Sequence, residues 1–454
     1  MEPYSLWKTI YLSEFKIFMS GIVDVLIRDC LIATINSGVI DHGFIAINDD
    51  RILDFGRIEN CRYHGETIIE AKGMVAMPGL INLHTHSPMT LLRGVAEDLP
   101  LDRWLREVIW PIEANLKPED VYWGAKLACI EMLKSGVTCF NDMYFYMDMV
   151  AKAVEETGIR AVLSHGIIGV GKPDGGLKDL EEGLKFALEN RGRGNGRVLT
   201  ALGPHAEYTV QPELLARIAE YSGKYGLPVH FHYAESKELL EDTWRRTGEN
   251  PLKKYDEINL LNDRLTLVHC IYLELEDIDL LAKRKVSIAY NPVSNAKLAQ
   301  GIARVREMIR HGINVGIGTD GPASNNTLDL LRDLRFASII QKAKYLDPTA
   351  LSSLEILKMA TINGAKALGI NNDIGDIEKG KKADIILLDL KSPYLHPVHN
   401  IYSTIVYSAC GLNVDTVIVD GKVLVKNGKC IHLDEEEIMK KADEKALDLI
   451  KRSM

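Results

Sequence analysis

The chain has 454 residues, with 54 Lys plus Arg against 63 Asp plus Glu and a formal net charge of −9; apolar residues make up 46% and charged residues 26%. These are ordinary globular values, so a sizeable core is available without disulfide support, and the lack of any basic tract excludes a nucleic-acid polymer as the expected partner. Seven Cys, an odd number with no CxxC pair, argue against a disulfide framework and a cysteine zinc site and suit a reducing, cytoplasmic setting, while no apolar run approaches the roughly 18–20 residues of a membrane span.

In chain order, residues 1–18 carry acids and lack a continuous apolar centre, which does not match a signal peptide and reads as an N-terminal extension ahead of Met19. Residues 19–75 read as short strands with turn punctuation, as in VDVLIRDCLIATINSG and ETIIEAKGMVAMPG. Residues 376–432 read the same way, with DG and NG turn signals in TVIVDGKVLVKNGKCI. The two segments predict one small, discontinuous β-sandwich domain built from both chain ends. Between them, over 76–375, short apolar strands alternate with longer helical stretches. The strand candidates are AMPGLINLHTH, GVTCFNDM, RAVLSHG, RVLTALGPH, LPVHFHYAE, LTLVHC, KVSIAYNP and INVGIGTDG. Eight βα units predict a (β/α)8 TIM barrel in the α/β class. The tail over 433–454 is an amphipathic helix, expected to pack on the body or to serve as a lid.

In such a barrel, reactive residues belong at the C-terminal ends of the strands. His84 and His86 end the first strand and, two residues apart, share one face. A second HxH pair, His230 and His232, lies in the fifth strand. His232 is at the strand end, whereas His230 is deeper and reads as a buried, hydrogen-bonded histidine of the barrel interior. His269 ends the sixth strand and Asp320 the eighth. Histidines and one aspartate at the mouths of four strands suit zinc or another borderline divalent metal with a position left for water. Trp104 and Trp110 read as core or dimer packing, with stacking on a purine as the alternative, and Cys270 as buried and inert.

PGLINLHTH, HYAE, TLVHC and GTDGPASNN, in that order, resemble the amidohydrolase superfamily. The closer likeness is to its branch that deaminates 5'-methylthioadenosine, S-adenosylhomocysteine and 5'-deoxyadenosine. It spans roughly residues 20 to 430 and includes LLRGVAEDLPLDRWL (91–105), GPHAEY (203–208) and NPVSNAKLAQG (291–301). The resemblance implies a metal-dependent hydrolytic deaminase with a single divalent ion per subunit, Zn2+ first and Fe2+ or Mn2+ as alternatives. It implies His84, His86, His232 and Asp320 as metal ligands, and Glu235, His269 and Asp320 as catalytic residues. Glu97, His205, Glu235 and Asp320 are implied to contact substrate, and His165 at the end of the third strand lies in reach of it. His205 stands near where two-metal relatives carry a bridging lysine, which favours one metal. The partner implied is a small adenine nucleoside, and the assembly a homo-oligomer. The alternative is a deaminase, chlorohydrolase or amidohydrolase of a free purine, pyrimidine or triazine ring.

One departure bears on substrate choice. Relatives that grip the carboxylate of S-adenosylhomocysteine carry Arg after the third strand, where this chain has His165 and Leu177. Arg160, Lys172 and Lys178 are the nearby cations, and a lysine lacks the planar two-bond match of arginine. The expected substrates are therefore 5'-deoxyadenosine, 5'-methylthioadenosine and adenosine, with a small, uncharged 5' end, ahead of S-adenosylhomocysteine, which stays in the set.

Overall fold

The computed structural model describes residues 21–454; the N-terminal extension and Met19 lie outside the described residues. The chain opens with β1 (Ile22–Ala33), β2 (Val39–Asn48), β3 (Arg51–Arg57), β4 (His64–Glu70) and β5 (Met74–Pro78). The barrel follows as β6 (Leu80–Thr85), β7 (Val137–Tyr144), β8 (Arg160–Ile167), β9 (Val198–Pro204), β10 (Val229–Tyr233), β11 (Leu265–His269), β12 (Ser287–Tyr290) and β13 (Asn314–Ile317). The chain closes with β14 (Ile385–Asp389), β15 (Val414–Val419), β16 (Lys422–Lys426), β17 (Lys429–Cys430) and a helix over Glu435–Ser453.

β6 to β13 lie side by side in sequence order, each pair parallel, as the βα spacing predicts. They are buried along almost their whole length, as strands covered on both faces must be. The seam between β13 and β6 is closed without a strand ladder. The Asn82 side chain accepts from Thr319 N (3.0 Å) and donates to Thr319 Oγ1 (2.7 Å), and Asp320 N donates to His84 O (3.0 Å). Gly318 permits this approach, since a Cβ there would lie 2.8 Å from His84 N. The seam thereby fixes two candidate ligands, His84 and Asp320, against each other.

The two chain ends form one sheet in the order β17-β16-β15-β14-β5-β1-β2-β3, with β4 also paired to β1. The first part of β1 pairs with β4 and its last residues with β5. The sheet curls around a core of its own that joins Ile27, Ile32, Ile45 and Ile52 to Ile385, Leu387 and Ile418. This domain is locked to the barrel by a buried ion cluster: Arg160, at the start of β8, donates to both carboxylate oxygens of Asp384 (3.0 and 3.1 Å) and to Asp420 (2.5 Å). Arg160 is thereby committed at the end of its strand opposite the mouth, which removes it from the cations expected near a substrate. The C-terminal helix packs along Pro118–Lys134 through Lys445–Glu119 and Arg452–Asp120 ion pairs, both at 2.7 Å, so it is a packing element. Among the described residues no helix is long and apolar enough to cross a membrane.

Candidate active site at the barrel mouth

The ends of β6, β10, β11 and β13 bring His84, His86, His232, His269 and Asp320 into one buried cluster. His84 Nε2 lies 3.2 Å from Asp320 Oδ1, His86 Nε2 lies 3.5 Å from the same oxygen, and His232 Nε2 lies 3.3 Å from His84 Nε2. A tetrahedral ion with bonds of about 2.0–2.1 Å has ligand–ligand edges of roughly 3.4 Å, so these three spacings suit a divalent metal, and His84 belongs both to a His84–His86–Asp320 group and to a His84–His232–His269 group that could hold one.

The second nitrogen of each ring decides whether the first is free to bind. His86 Nδ1–H donates to Met143 O (2.6 Å) and His232 Nδ1–H to His205 O (2.6 Å). His84 reaches further. The Ser164 hydroxyl donates to Asp142 O (2.8 Å), so its oxygen is left to accept from His230 Nδ1–H at 3.5 Å. His230 Nε2 then accepts from His84 Nδ1–H at 2.9 Å. Every Nε2 of the trio is left with a lone pair aimed inward, and His230 is the buried relay histidine, outside the ligand set. Burial pushes His84 down to about 3 and His232 well below the usual imidazole range, so both stay neutral. Asp320 completes the cluster as a buried carboxylate. Its Oδ2 accepts from Ser294 (2.5 Å) and Ser324 (2.9 Å), while Gly321 N donates to Oδ1 (2.8 Å).

Beside the cluster, Glu235 lies 3.6 Å from His269 Nε2. Its carboxylate accepts from the Tyr208 hydroxyl (2.6 Å) and from Gln300 Nε2 (3.2 Å). His269 Nδ1 donates to Asn295 Oδ1 (2.8 Å). His205 Nδ1 pairs with Thr209 Oγ1 at 2.9 Å, and burial lowers His205 to about 3. Cys270 is buried with its thiol pushed well above the usual range, as an inert residue should be.

The cavity over the cluster is walled by His86, His205, His232, Glu235, His269 and Asp320 on one side and by Leu101, Trp104, Trp110, Glu113 and Tyr144 on the other. Both tryptophans thus line the cavity while Trp104 also belongs to the apolar core.

Two expected substrate contacts stand outside this wall. Glu97 is not part of the cavity wall: its carboxylate pairs with Lys297 Nζ (2.7 Å) and accepts from Asn326 Nδ2 (2.8 Å), which fixes it at the rim. Besides Glu235 and Asp320, the wall holds the carboxyl of Glu113, raised to about 7 by burial and partly lowered again by the Tyr144 hydroxyl. His165 faces an adjoining chamber of about 790 Å³ that shares Trp110, Glu113, Phe145 and Ile168 with the cavity. Lys172 beside that chamber is ion-paired to Asp179, and Lys178 points to Glu182 at 3.8 Å.

Sequence reasoning missed Glu113, the Ser294 and Ser324 clamp on Asp320, and the Tyr208 and Gln300 clamp on Glu235. The serines, Tyr208 and Gln300 stand inside motifs already singled out, which was the signal that could have found them; Glu113, in WPIEAN, carries no such mark.

The chain is similar to known proteins over most of its length. A 5-methylthioadenosine/S-adenosylhomocysteine deaminase of Moorella thermoacetica is 47% identical over 91% of this chain and 97% of its own length. A 5'-deoxyadenosine deaminase of Methanosarcina acetivorans is 44% identical over 95% of this chain and 99% of its own. Among solved structures, a zinc-bound adenosine deaminase from Xanthomonas campestris superposes with a TM-score of 0.90 at 35% identity, covering 95% of this chain and 99% of its own. The zinc complex of atrazine chlorohydrolase TrzN from Arthrobacter aurescens gives 0.85 at 27%, covering 93% and 100%. Residues 75–424 match the model of the amidohydrolase family, and the chain belongs to that family.

Proposed function

We propose that this protein is a metal-dependent hydrolytic deaminase of adenosines with a small, uncharged 5' end, converting 5'-deoxyadenosine, 5'-methylthioadenosine and adenosine to the inosine analogues plus ammonia. The observation that carries this reading is Glu235: a carboxyl held by Tyr208 and Gln300 and lying 3.6 Å from His269, itself grouped with His84 and His232, where a proton must move between water and a ring nitrogen. The high identity to deaminases of this substrate class supports it.

His84, His86, His232 and Asp320 would hold the metal, which supplies a water acidified to a pKa of about 7. Zn2+ is the proposed ion, with Fe2+ and Mn2+ as alternatives at the same donors. Asp320, braced by two serines and a backbone amide, takes up the proton of the attacking water. Glu235 delivers a proton to the purine N1, which makes C6 electrophilic as the C6–O bond forms. His269, its Nδ1 proton committed to Asn295, is left with an Nε2 lone pair that accepts from the attacking water and orients it towards C6. The C6–N6 bond then breaks as Asp320 passes the water's proton to the leaving amino group, giving ammonia, while the C6 hydroxyl proton restores Glu235 and N1 keeps the proton it received. His205 lines the cavity as a neutral substrate contact, and Glu113 takes the role first given to Glu97, since a vicinal diol suits two-oxygen acceptance by a carboxylate. A homo-oligomer in the cytoplasm completes the proposal.

The adjoining chamber bears on the 5' end. Among the described residues no arginine lines it, Arg160 is buried in the domain lock, and its two lysines are Lys172, paired with Asp179, and Lys185. Comparing kcat/KM for adenosine, 5'-deoxyadenosine, 5'-methylthioadenosine and S-adenosylhomocysteine tests this reading, and a clear preference for S-adenosylhomocysteine overturns it.

A further inference from the structure

In an extended strand, side chains alternate between faces. His230 and His232 of β10 point to the barrel interior, whereas Phe231 and Tyr233 pack outward on Tyr255, with ring centroids at 5.7 and 5.9 Å. Continued alternation sends Glu235 outward with Tyr233. Glu235 instead lines the active-site cavity beside His232 and His269. The reversal occurs at Ala234, whose φ of +52° is left-handed, a conformation that a residue with a Cβ rarely adopts.

Three backbone groups and one side chain hold Ala234 there. Its carbonyl accepts from Ile271 N (3.0 Å) and Tyr272 N (3.3 Å), and Cys270 N donates to Tyr233 O (3.0 Å). Its own N–H donates to Oε1 of Glu207 at 3.1 Å. Glu207 is 2% exposed, and its other oxygen, Oε2, has no hydrogen-bond partner among the described residues. A carboxyl buried this deeply to meet the backbone amides of Ala234 and of its own residue needs a reason, because desolvation makes it costly. Burial, and then the nearby charge of Glu235, raises Glu207 to about 8, so it is largely a neutral acid at pH 7 and adds little repulsion to Glu235.

We infer that Glu207 is a positioning residue: its carboxyl holds Ala234 in the left-handed conformation that turns Glu235 from the outer face of β10 into the active site. The inference deepens the deaminase reading, on which its kinetic test rests, and its structural test does not depend on the substrate.

Replacement of Glu207 by Leu removes the acceptor. With the acid mis-aimed, kcat for 5'-deoxyadenosine falls about 100-fold, the size expected for a misplacement of roughly 1 Å, while KM changes little. Glu207→Gln keeps an acceptor oxygen and retains activity and its pH profile. Adding Ala234→Gly to Glu207→Leu recovers part of the loss, because glycine adopts positive φ without a Cβ penalty. In a Glu235→Gln background, Glu207→Leu has no further effect on residual turnover. If Glu207→Leu does not fold, Glu207→Ala with and without Ala234→Gly makes the same comparison. The crystal structure of the variant is read for the φ of Ala234 and for the direction of Glu235. Equal losses in the wild-type and Glu235→Gln backgrounds, a Glu207→Gln loss as large as that of Leu, or an unchanged Ala234 and Glu235 overturns the inference. Absence of deamination by the wild-type protein overturns the function and leaves the crystallographic result to decide the role of Glu207.

Discussion

His84 Nε2 and His232 Nε2 face each other at 3.3 Å, and each ring has its Nδ1 proton committed to a fixed acceptor. Two lone pairs at that distance repel unless a cation lies between them, so the protein builds a cation site before any cation arrives. Chelation should therefore abolish turnover and lower Tm. In the chelated protein, the depressed pKa of His84, near 3, sets the sign of the acid response: the unfolded imidazole takes up protons below about 6.5 while the folded one does not. Its stability contribution is present above that pH and declines as pH falls towards 3. Thermal unfolding of the chelated protein should give a lower Tm at pH 5.5 than at pH 7.

The relay from Ser164 through His230 to His84 predicts a second effect. His230→Phe fills the same space but cannot accept from His84 Nδ1, so His84 is free to take the wrong tautomer. Metal affinity, measured by competition with a chromophoric chelator, should fall about 10- to 100-fold, the usual cost of losing such a partner.

Glu113 predicts a pH-dependent KM. Its carboxyl is raised to about 7 by burial, and the ionised form is the better acceptor for two hydroxyls. KM for nucleosides should fall as pH rises through 7 and level off above it. Glu113→Gln should raise KM and flatten this dependence, while kinetics on a 2',3'-dideoxy substrate should change little. Glu97→Gln, altering a rim ion pair with Lys297, should leave KM nearly unchanged.

Tyr208→Phe removes one donor from Glu235 and keeps the ring. Steady-state kinetics should show kcat reduced about 10- to 100-fold, corresponding to the roughly 1.5–3 kcal/mol of a hydrogen bond to a charged group. Tyr208→Phe should leave metal content unchanged, since Tyr208 touches no proposed ligand.

The barrel was legible in the sequence because its evidence is local: eight short apolar runs at regular spacing, and His or Asp where those runs end. The convergence of His84, His86, His232, His269 and Asp320 follows from that architecture, since strand ends of a barrel meet at one mouth. Glu97 and Glu113 were not separable on the same grounds. Both lie between β6 and β7, where short irregular turns and helices replace strand alternation, and which acid faces inward depends on how Trp104–Glu113 folds back over the mouth. The left-handed turn at Ala234 also left no trace, because alanine carries none of the turn chemistry that glycine or asparagine would. The Asn82–Thr319 seam was hidden for a different reason: it pairs residues far apart in the chain through side chains, where strand patterning says nothing.

The most direct test of the central claim is ammonia release from 5'-deoxyadenosine by the zinc-loaded protein, followed together with the ultraviolet change from adenine to hypoxanthine, with and without a chelator and in Glu235→Gln. The account predicts stoichiometric ammonia and inosine analogue, loss of both on chelation with recovery on adding metal back, and kcat lowered by at least about 100-fold in Glu235→Gln. Turnover that survives complete chelation, or a Glu235→Gln variant as active as wild type, would contradict it.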